Sequence, residues 1–288
     1  MEIKIRRLPK EKFPPELMEI PQPPENLWII GDLPKEKLIY LCVVGSRKFT
    51  SYGKEACEKI IAGLKGYPIA IVSGFAMGID TIAHKKAMQV GLKTLVFPGS
   101  GLSKEAIYPK VNFHLIPEII KNEGCLISEF EPDFKATQWG FPMRNRLMAG
   151  ISKAVLVIEA EEKSGTLITA RLTTEYNRDL LAVPGSVFSL TSRGTNRLIR
   201  QGAVPVTCAE DVLEALGFEQ KKDDEKQAKL FEDLSKEEKM VVDLLRESKP
   251  RDDLVREMKM PIQDANSLLS VMEIKGLIKE ELGEIRLA

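Results

Sequence analysis

The chain of 288 residues is short of most of the chemistry that would identify an enzyme at sight. Its four cysteines, Cys42, Cys57, Cys125 and Cys208, stand singly with no CxxC pair, and its only histidines are His84 and His114. That excludes a zinc-ribbon pattern and gives no disulfide framework, so no metal and no cofactor is expected. There is no GxxxxGK[ST], so a phosphate-gripping P-loop is absent, and no GxGxxG, GxSxG or HExxH. No apolar run approaches the roughly 18 residues of a membrane span, and the start, MEIKIRRLPKEKF, has no apolar stretch of the signal-peptide kind. A cytoplasmic location is the expectation. Net charge is lacking too, with 42 basic against 42 acidic residues, so any polyanion site must be a local patch.

What is present is a repeated unit of short apolar run, glycine-serine turn and helical segment. The first 37 residues are rich in proline, which removes backbone donors and fixes chain direction, and they read as an extended arm packed on the body. From Leu38 the runs LIYLCVV, PIAIVS, KTLVF, CLIS, AVLVIEA and DLLAV lack internal alternation of polar and apolar residues and are separated by helical patterns. Strands buried on both faces and linked by helices make a parallel sheet, so residues 38–218 are expected to form an α/β, extended Rossmann-like domain. The highly charged run at 219–230 reads as a linker. Residues 231–288 read as a small winged-helix-like domain: three helices, the first opened by a Ser235 and Glu238 capping box, then a hairpin turning at Gly283. That domain carries 10 basic against 14 acidic residues, a sign unsuited to nucleic acid and better suited to a protein contact.

In open parallel sheets ligands bind beyond the carboxyl ends of the strands. Here those ends carry Gly45-Ser46, Ser73-Gly74, Gly99-Ser100, Ser164-Gly165 and Gly185-Ser186. Each pair alone is accounted for by the turn it makes, since glycine tolerates positive φ. Together, beside Arg47, Lys48, Arg144 and Arg146, they suggest an anion-binding edge. Helix starts at FPMRNR and at Ser164-Gly165-Thr166 would add backbone N–H groups to it. Phe141 reads equally as a stacking aromatic or as a core ring beside Trp139, and Asn145 as a ligand group or a helix cap. Glu129, Glu159 and Asp80 are available carboxylates, but without a histidine or metal partner they receive no catalytic role.

The motifs VVGSRKFTSYG, SGFAMGIDTIAH, IYPKVN, ISEF, FPMRNRLMAGIS, EAEEKSGTLITA, VPGS and GTNRLIRQGA, in this order, resemble the DprA/Smf family of DNA-processing proteins over nearly the whole chain. The resemblance implies a protein that is not an enzyme, binds single-stranded DNA without much sequence preference, and delivers the RecA recombinase to it during natural transformation, as a homodimer. It further implies a DNA pocket at Ser46, Arg47, Lys48, Gly74, Phe141, Arg144, Asn145, Arg146, Ser164, Gly165 and Thr166, with phosphate contacts from Arg47, Arg144 and Arg146. Many relatives have an arginine where this chain has Met77, so a basic contact is missing there or replaced by Lys48, Lys85 or Arg197. Two other functions on a similar fold stay open: a phosphoribohydrolase releasing a base from its monophosphate, of whose PGGxGT signature EKSGT and VPGS are loose echoes, and a nucleotide-sensing module.

Overall fold

The computed structural model describes residues 4–218 and 234–287, apart from 246 and 282; the charged run 219–230 lies outside the described residues. Contacts divide the chain into two units, 1–219 and 220–288.

The first unit is a nine-stranded sheet. Its parallel centre is built from β3 (Ile39–Val44), β4 (Ile69–Ser73), β5 (Lys93–Val96), β6 (Cys125–Ser128), β7 (Ala154–Val157), β8 (Asp179–Ala182) and β9 (Val204–Pro205), in the spatial order β6-β5-β4-β3-β7-β8-β9. Within this centre the chain starts at β3, winds outward to β6, returns past β3 to β7 and winds the other way. The switch in strand order therefore falls between β3 and β7, which pair in parallel with Val44 opposite Val157. Side chains alternate across the sheet. Cys42 and Val44 join a core beneath α4 (Gly140–Ile151), α5 (Thr166–Glu175) and α6 (Arg193–Arg200). Leu41 and Val43 join another beneath α1 (Ser51–Gly63), α2 (Ile79–Val90) and α7 (Ala209–Ala215). Burying each such Leu, Ile or Val side chain contributes about 1.5–3 kcal/mol, which is why strands without polar positions settle in the centre. A short α3 (Ile116–Lys121) covers the β6 side.

The proline-rich arm does more than pack on the body. It supplies β1 (Ile5–Arg7) and β2 (Trp28–Gly31), and β2 extends the sheet by pairing antiparallel with β6, Ile29 opposite Ile127. Its prolines fall between these strands or, for Pro34, just after β2, where no ladder donor is lost. Leu8, Phe13, Leu17, Ile20 and Leu27 from the arm complete the core under α4. At Gly150 a Cβ would lie 2.6 Å from Ile20 Cγ2, so the Ile20 side chain packs directly on the backbone of α4.

The second unit has α8 (Lys236–Leu244), α9 (Arg251–Glu257) and α10 (Ile262–Ile274) against a three-stranded antiparallel sheet of β10 (Lys249–Pro250), β11 (Ile278–Glu281) and β12 (Glu284–Leu287), in the order β10-β12-β11. Ser235 and Glu238 form the capping box that their spacing predicts, and Gly283 takes φ 83° in the β11 to β12 turn. Val241, Leu254, Met258, Leu269, Met272 and Ile285 form its core.

One buried group couples the first unit's fold to pH. His84 on α2 is fully buried, with Nδ1 2.6 Å from Thr94 Oγ1. Thr94 Oγ1 donates to the Ile71 carbonyl, so it accepts from an Nδ1–H, and the ring is the neutral tautomer with Nε2 unpartnered. Burial, and then the field of Arg144, push its pKa down to about 3. The unfolded chain takes up a proton that the folded chain refuses, so stability falls as pH drops below about 6.5, by up to about 1.4 kcal/mol per unit. Urea unfolding between pH 7 and pH 5 should show this loss, and His84→Gln should flatten it.

Candidate nucleic-acid interface

The carboxyl ends of β3 and β7 open into a cleft of about 520 Å³. Gly45, Ser46, Arg47 and Lys48 line it from the β3 side, Ala76 and Asp80 from the β4 side, Phe141, Arg144, Asn145 and Met148 from α4, and Glu161, Ser164, Gly165, Thr166 and Thr169 from the β7 to α5 connection. The switch point of the sheet thus brings together segments more than 100 residues apart in sequence. A smaller apolar recess adjoins it, lined by Arg47, Gly74, Ala76, Met77, Tyr108, Pro109, Phe141 and Arg144.

The glycines fall where backbone must approach. A Cβ on Gly45 would strike Ile79 at 2.7 Å, and one on Gly99 would strike Phe141 at 2.5 Å. Gly78, at φ 91°, sits against the Ser46 carbonyl. Gly74 is held from both sides: its N–H donates to Asp80 Oδ2 at 3.1 Å, and its carbonyl accepts from Arg144 Nη1. The same Nη1 donates to the Phe97 carbonyl, and Arg144 Nε donates to Asn145 Oδ1 at 3.0 Å. Arg144 is therefore a buried strut between the ends of β4 and β5. Burial pulls its pKa down to about 10 against the opposing pull of Asp80. Asp80 also accepts from Ala76 N–H, and burial raises its pKa while Arg144 holds it down.

The exposed positive charge in the cleft comes from the β3 to α1 loop, and the exposed Glu161 carboxylate stands on the β7 to α5 side. Ser46 Oγ donates to the Lys48 carbonyl at 2.9 Å and accepts from the Lys48 N–H at 3.0 Å, pinning a turn that leaves the Arg47 and Lys48 side chains in solvent. Arg47 lies 5.4 Å above the centroid of Phe141. Phe141 is half-buried and leans on Tyr108 at 5.9 Å, away from Trp139, which packs with Phe130 and Phe134. Across the cleft Ser164 Oγ accepts from Thr166 N–H at 3.2 Å, and Thr166 Oγ1 donates to the Gly45 carbonyl at 3.2 Å, tying the start of α5 to β3. Around Gly165 there is open space.

Two expectations change. α4 begins at Gly140, so Arg144, Asn145 and Arg146 lie inside the helix and Asn145 caps nothing. Arg146 is turned away from the cleft, since two residues on a helix are about 200° apart. It is buried in an ion pair with Glu129 and donates to the Gln22 carbonyl at 2.6 Å, fastening the N-terminal arm. Ser46, Arg47, Lys48, Phe141, Arg144, Asn145, Ser164, Gly165 and Thr166 do meet in the cleft, with Gly74 in the adjoining recess. Tyr108 is the residue that sequence reasoning missed; its only signal was the IYPKVN stretch. Met77, 49% exposed, brings an apolar side chain to the recess, so no basic contact comes from that position; of the three replacements expected, Lys48 lines the cleft, while Lys85 and Arg197 are exposed but do not line it. The three carboxylates are all engaged: Glu159 accepts from Thr50 N–H, Thr50 Oγ1 and Thr191 Oγ1, Glu129 pairs with Arg146, and Asp80 holds the β4 turn. Among the described residues no cluster of side chains is arranged to hold a metal ion, and no helix is long and apolar enough to cross a membrane.

Comparison with known proteins agrees with this architecture. The DNA processing protein DprA of Streptococcus pneumoniae is 41% identical over 206 residues, covering 72% of this chain and 72% of that protein. Its X-ray structure superposes with a TM-score of 0.69 at 38% identity, covering 75% of each chain. A DprA structure from Helicobacter pylori, described for its single-stranded DNA binding mode, superposes with a TM-score of 0.65 at 29% identity, over 74% of this chain and 96% of that one. The model of the family DNA recombination-mediator protein A matches residues 4–217, the whole sheet with its covering helices, and the chain belongs to that family.

Proposed function

We propose that the first unit is a single-stranded DNA-binding recombination mediator that holds the strand along the cleft between β3 and β7. The observation that carries this reading is the Arg47 guanidinium over Phe141, with Tyr108 behind it and the hydroxyl-lined start of α5 opposite. Exposed cations beside half-exposed aromatic faces suit a strand whose phosphates and unstacked bases are presented together. Arg47 and Lys48 meet phosphates, the Ser164 hydroxyl and the positive end of the α5 dipole face another, and Phe141 takes the face of a base. Arg144 and Asn145 shape the floor. The printed description of the Helicobacter pylori relative supports the choice of a single strand.

In this reading the chain acts without catalysis, as a cytoplasmic homodimer that delivers RecA recombinase to the bound strand. The 1–37 arm, the 38–218 domain and the 231–288 winged-helix-like domain divide the labour. The last is a protein-contact module: between Ile262 and Ile274, α10 carries Asp264 and Glu273 and no Lys or Arg, and Val271 and Ile274 are exposed on it. A base-releasing hydrolase is disfavoured by the engagement of Glu129, Glu159 and Asp80 in internal bonds.

Titration of a fluorescent oligonucleotide, first single-stranded and then as a duplex, at two ionic strengths tests the reading. Tighter binding of the single strand that weakens with salt is expected, with no base released from nucleoside monophosphates. Base release without strand binding would overturn it.

A further inference from the structure

The recess beside the cleft has room, about 10 Å³, for one small group, the space that a single water or methyl fills. Met77, Tyr108 and Phe141 supply its side-chain walls. The Phe141 ring is seated by backbone, since a Cβ on Gly99 would meet it at 2.5 Å, and Tyr108 leans on it at 5.9 Å with the two planes 57° apart.

The polar groups around the recess are spent on the protein itself. The Gly74 and Ala76 N–H groups both donate to Asp80 Oδ2, the Gly74 carbonyl accepts from Arg144, and the Ala76 carbonyl accepts from Thr81 Oγ1. The Tyr108 N–H donates to Ser100 Oγ at 3.1 Å. Pro109 has no N–H, and its carbonyl accepts from the Asn112 N–H. Arg144 directs Nη1 and Nε to Gly74, Phe97 and Asn145. A water in so small a space needs about two to four polar partners, and an amino or carbonyl group entering it would give up hydration without a new bond. A methyl group gives up nothing, and it gains contact with a thioether side chain and two rings.

Arg47 and Phe141 line the recess and the cleft alike, so a base laid on the Phe141 ring has the recess at its edge. Among the four DNA bases only thymine carries a methyl group, at C5; uracil is the same ring without it. We propose that the recess is a seat for the C5 methyl of a pyrimidine, which makes the cleft prefer thymine to uracil at the base held by Phe141. This rests on the cleft being the strand site. The preference is small beside the phosphate contribution, and it selects DNA by its base and not by its sugar.

The test is fluorescence anisotropy on the full chain with two strands of about 8 nucleotides, oligodeoxythymidylate and oligodeoxyuridylate, which differ only in that methyl, and with a second pair, oligodeoxycytidylate with and without a C5 methyl. The unmodified chain should bind the methylated member of each pair about fourfold more tightly, the worth of burying one such carbon, with the same salt slope for both members. Met77→Gln places an amide in the wall at an exposed position, and it should bring the members of each pair to within about twofold of each other. Met77→Leu keeps the wall apolar and should keep most of the preference. Equal affinity within each pair for the unmodified chain overturns the proposal. A preference that survives Met77→Gln undiminished overturns it as well, because the methyl would then be acting through stacking and not through the recess. Failure of the unmodified chain to bind any of the four strands would instead bring down the reading of the cleft, and the methyl seat with it.

Discussion

Replacing Arg144 with alanine is expected to destabilise the first unit by about 3–5 kcal/mol, the usual cost of removing one member of a buried charge constellation. The side chain is 5% exposed, and it donates to the carbonyls of Gly74 and Phe97 and to Asn145 Oδ1. Its loss leaves those acceptors without their donor in the interior and removes the positive field that opposes the desolvation of Asp80. Urea unfolding should show the effect directly. Arg144→Lys should recover only part of it, because a single ammonium cannot reproduce the three-way fork. Adding Asp80→Asn to Arg144→Ala should restore stability relative to the single variant, since the buried negative charge is then gone; two coupled neighbours of this kind deviate from additivity by about 0.5–3 kcal/mol. A loss below about 0.5 kcal/mol, the range of ordinary surface substitutions, would remove the strut from the account.

Much of this architecture is legible in the sequence, and the reasons are physical. Strands such as LCVV and AVLV carry no polar position, which only a sheet covered on both faces tolerates, and their glycine-serine ends announce the edge where the backbone turns. What the sequence could not convey is direction within a helix whose start is misread. FPMRNR looks like a helix start because Asn145 resembles a cap and proline favours a first turn, but the helix begins at Gly140, and that sets Arg144 and Arg146 on different faces. One then braces the cleft floor and the other fastens the arm through Glu129 and Gln22. The arm's share in the sheet was hidden for a related reason. Its prolines suggest an extended segment, and WIIG is too short to stand out as a strand until β6 offers it an edge. Tyr108 enters the site from a loop with no periodicity at all, carried there by the fold.

The second large effect is expected at Arg47. Unlike Arg144 it is exposed, and its contact is with the face of Phe141, 5.4 Å away. Arg47→Ala should therefore leave unfolding unchanged within about 0.5 kcal/mol and act on binding alone. It should weaken every single-stranded sequence about equally, since a phosphate contact carries no sequence information. Phe141→Ala should cost about 1–3 kcal/mol of strand affinity through lost stacking, with little change in the dependence on salt. The two substitutions thus separate the two chemistries of the site: charge appears in the salt slope, and ring stacking appears as a loss largely independent of salt.

The most direct single measurement is the slope of log affinity against log salt concentration for one single-stranded oligonucleotide, taken for the unmodified chain and for the double variant Arg47→Ala with Lys48→Ala. If the cleft at the β3 and β7 ends is an anion-holding trough for a strand, the slope should become shallower by about 1.4, at about 0.7 for each phosphate contact removed, while the variant unfolds at the same urea concentration as the unmodified chain. An unchanged slope with an unchanged fold would mean that the strand's phosphates lie elsewhere, and would contradict the account.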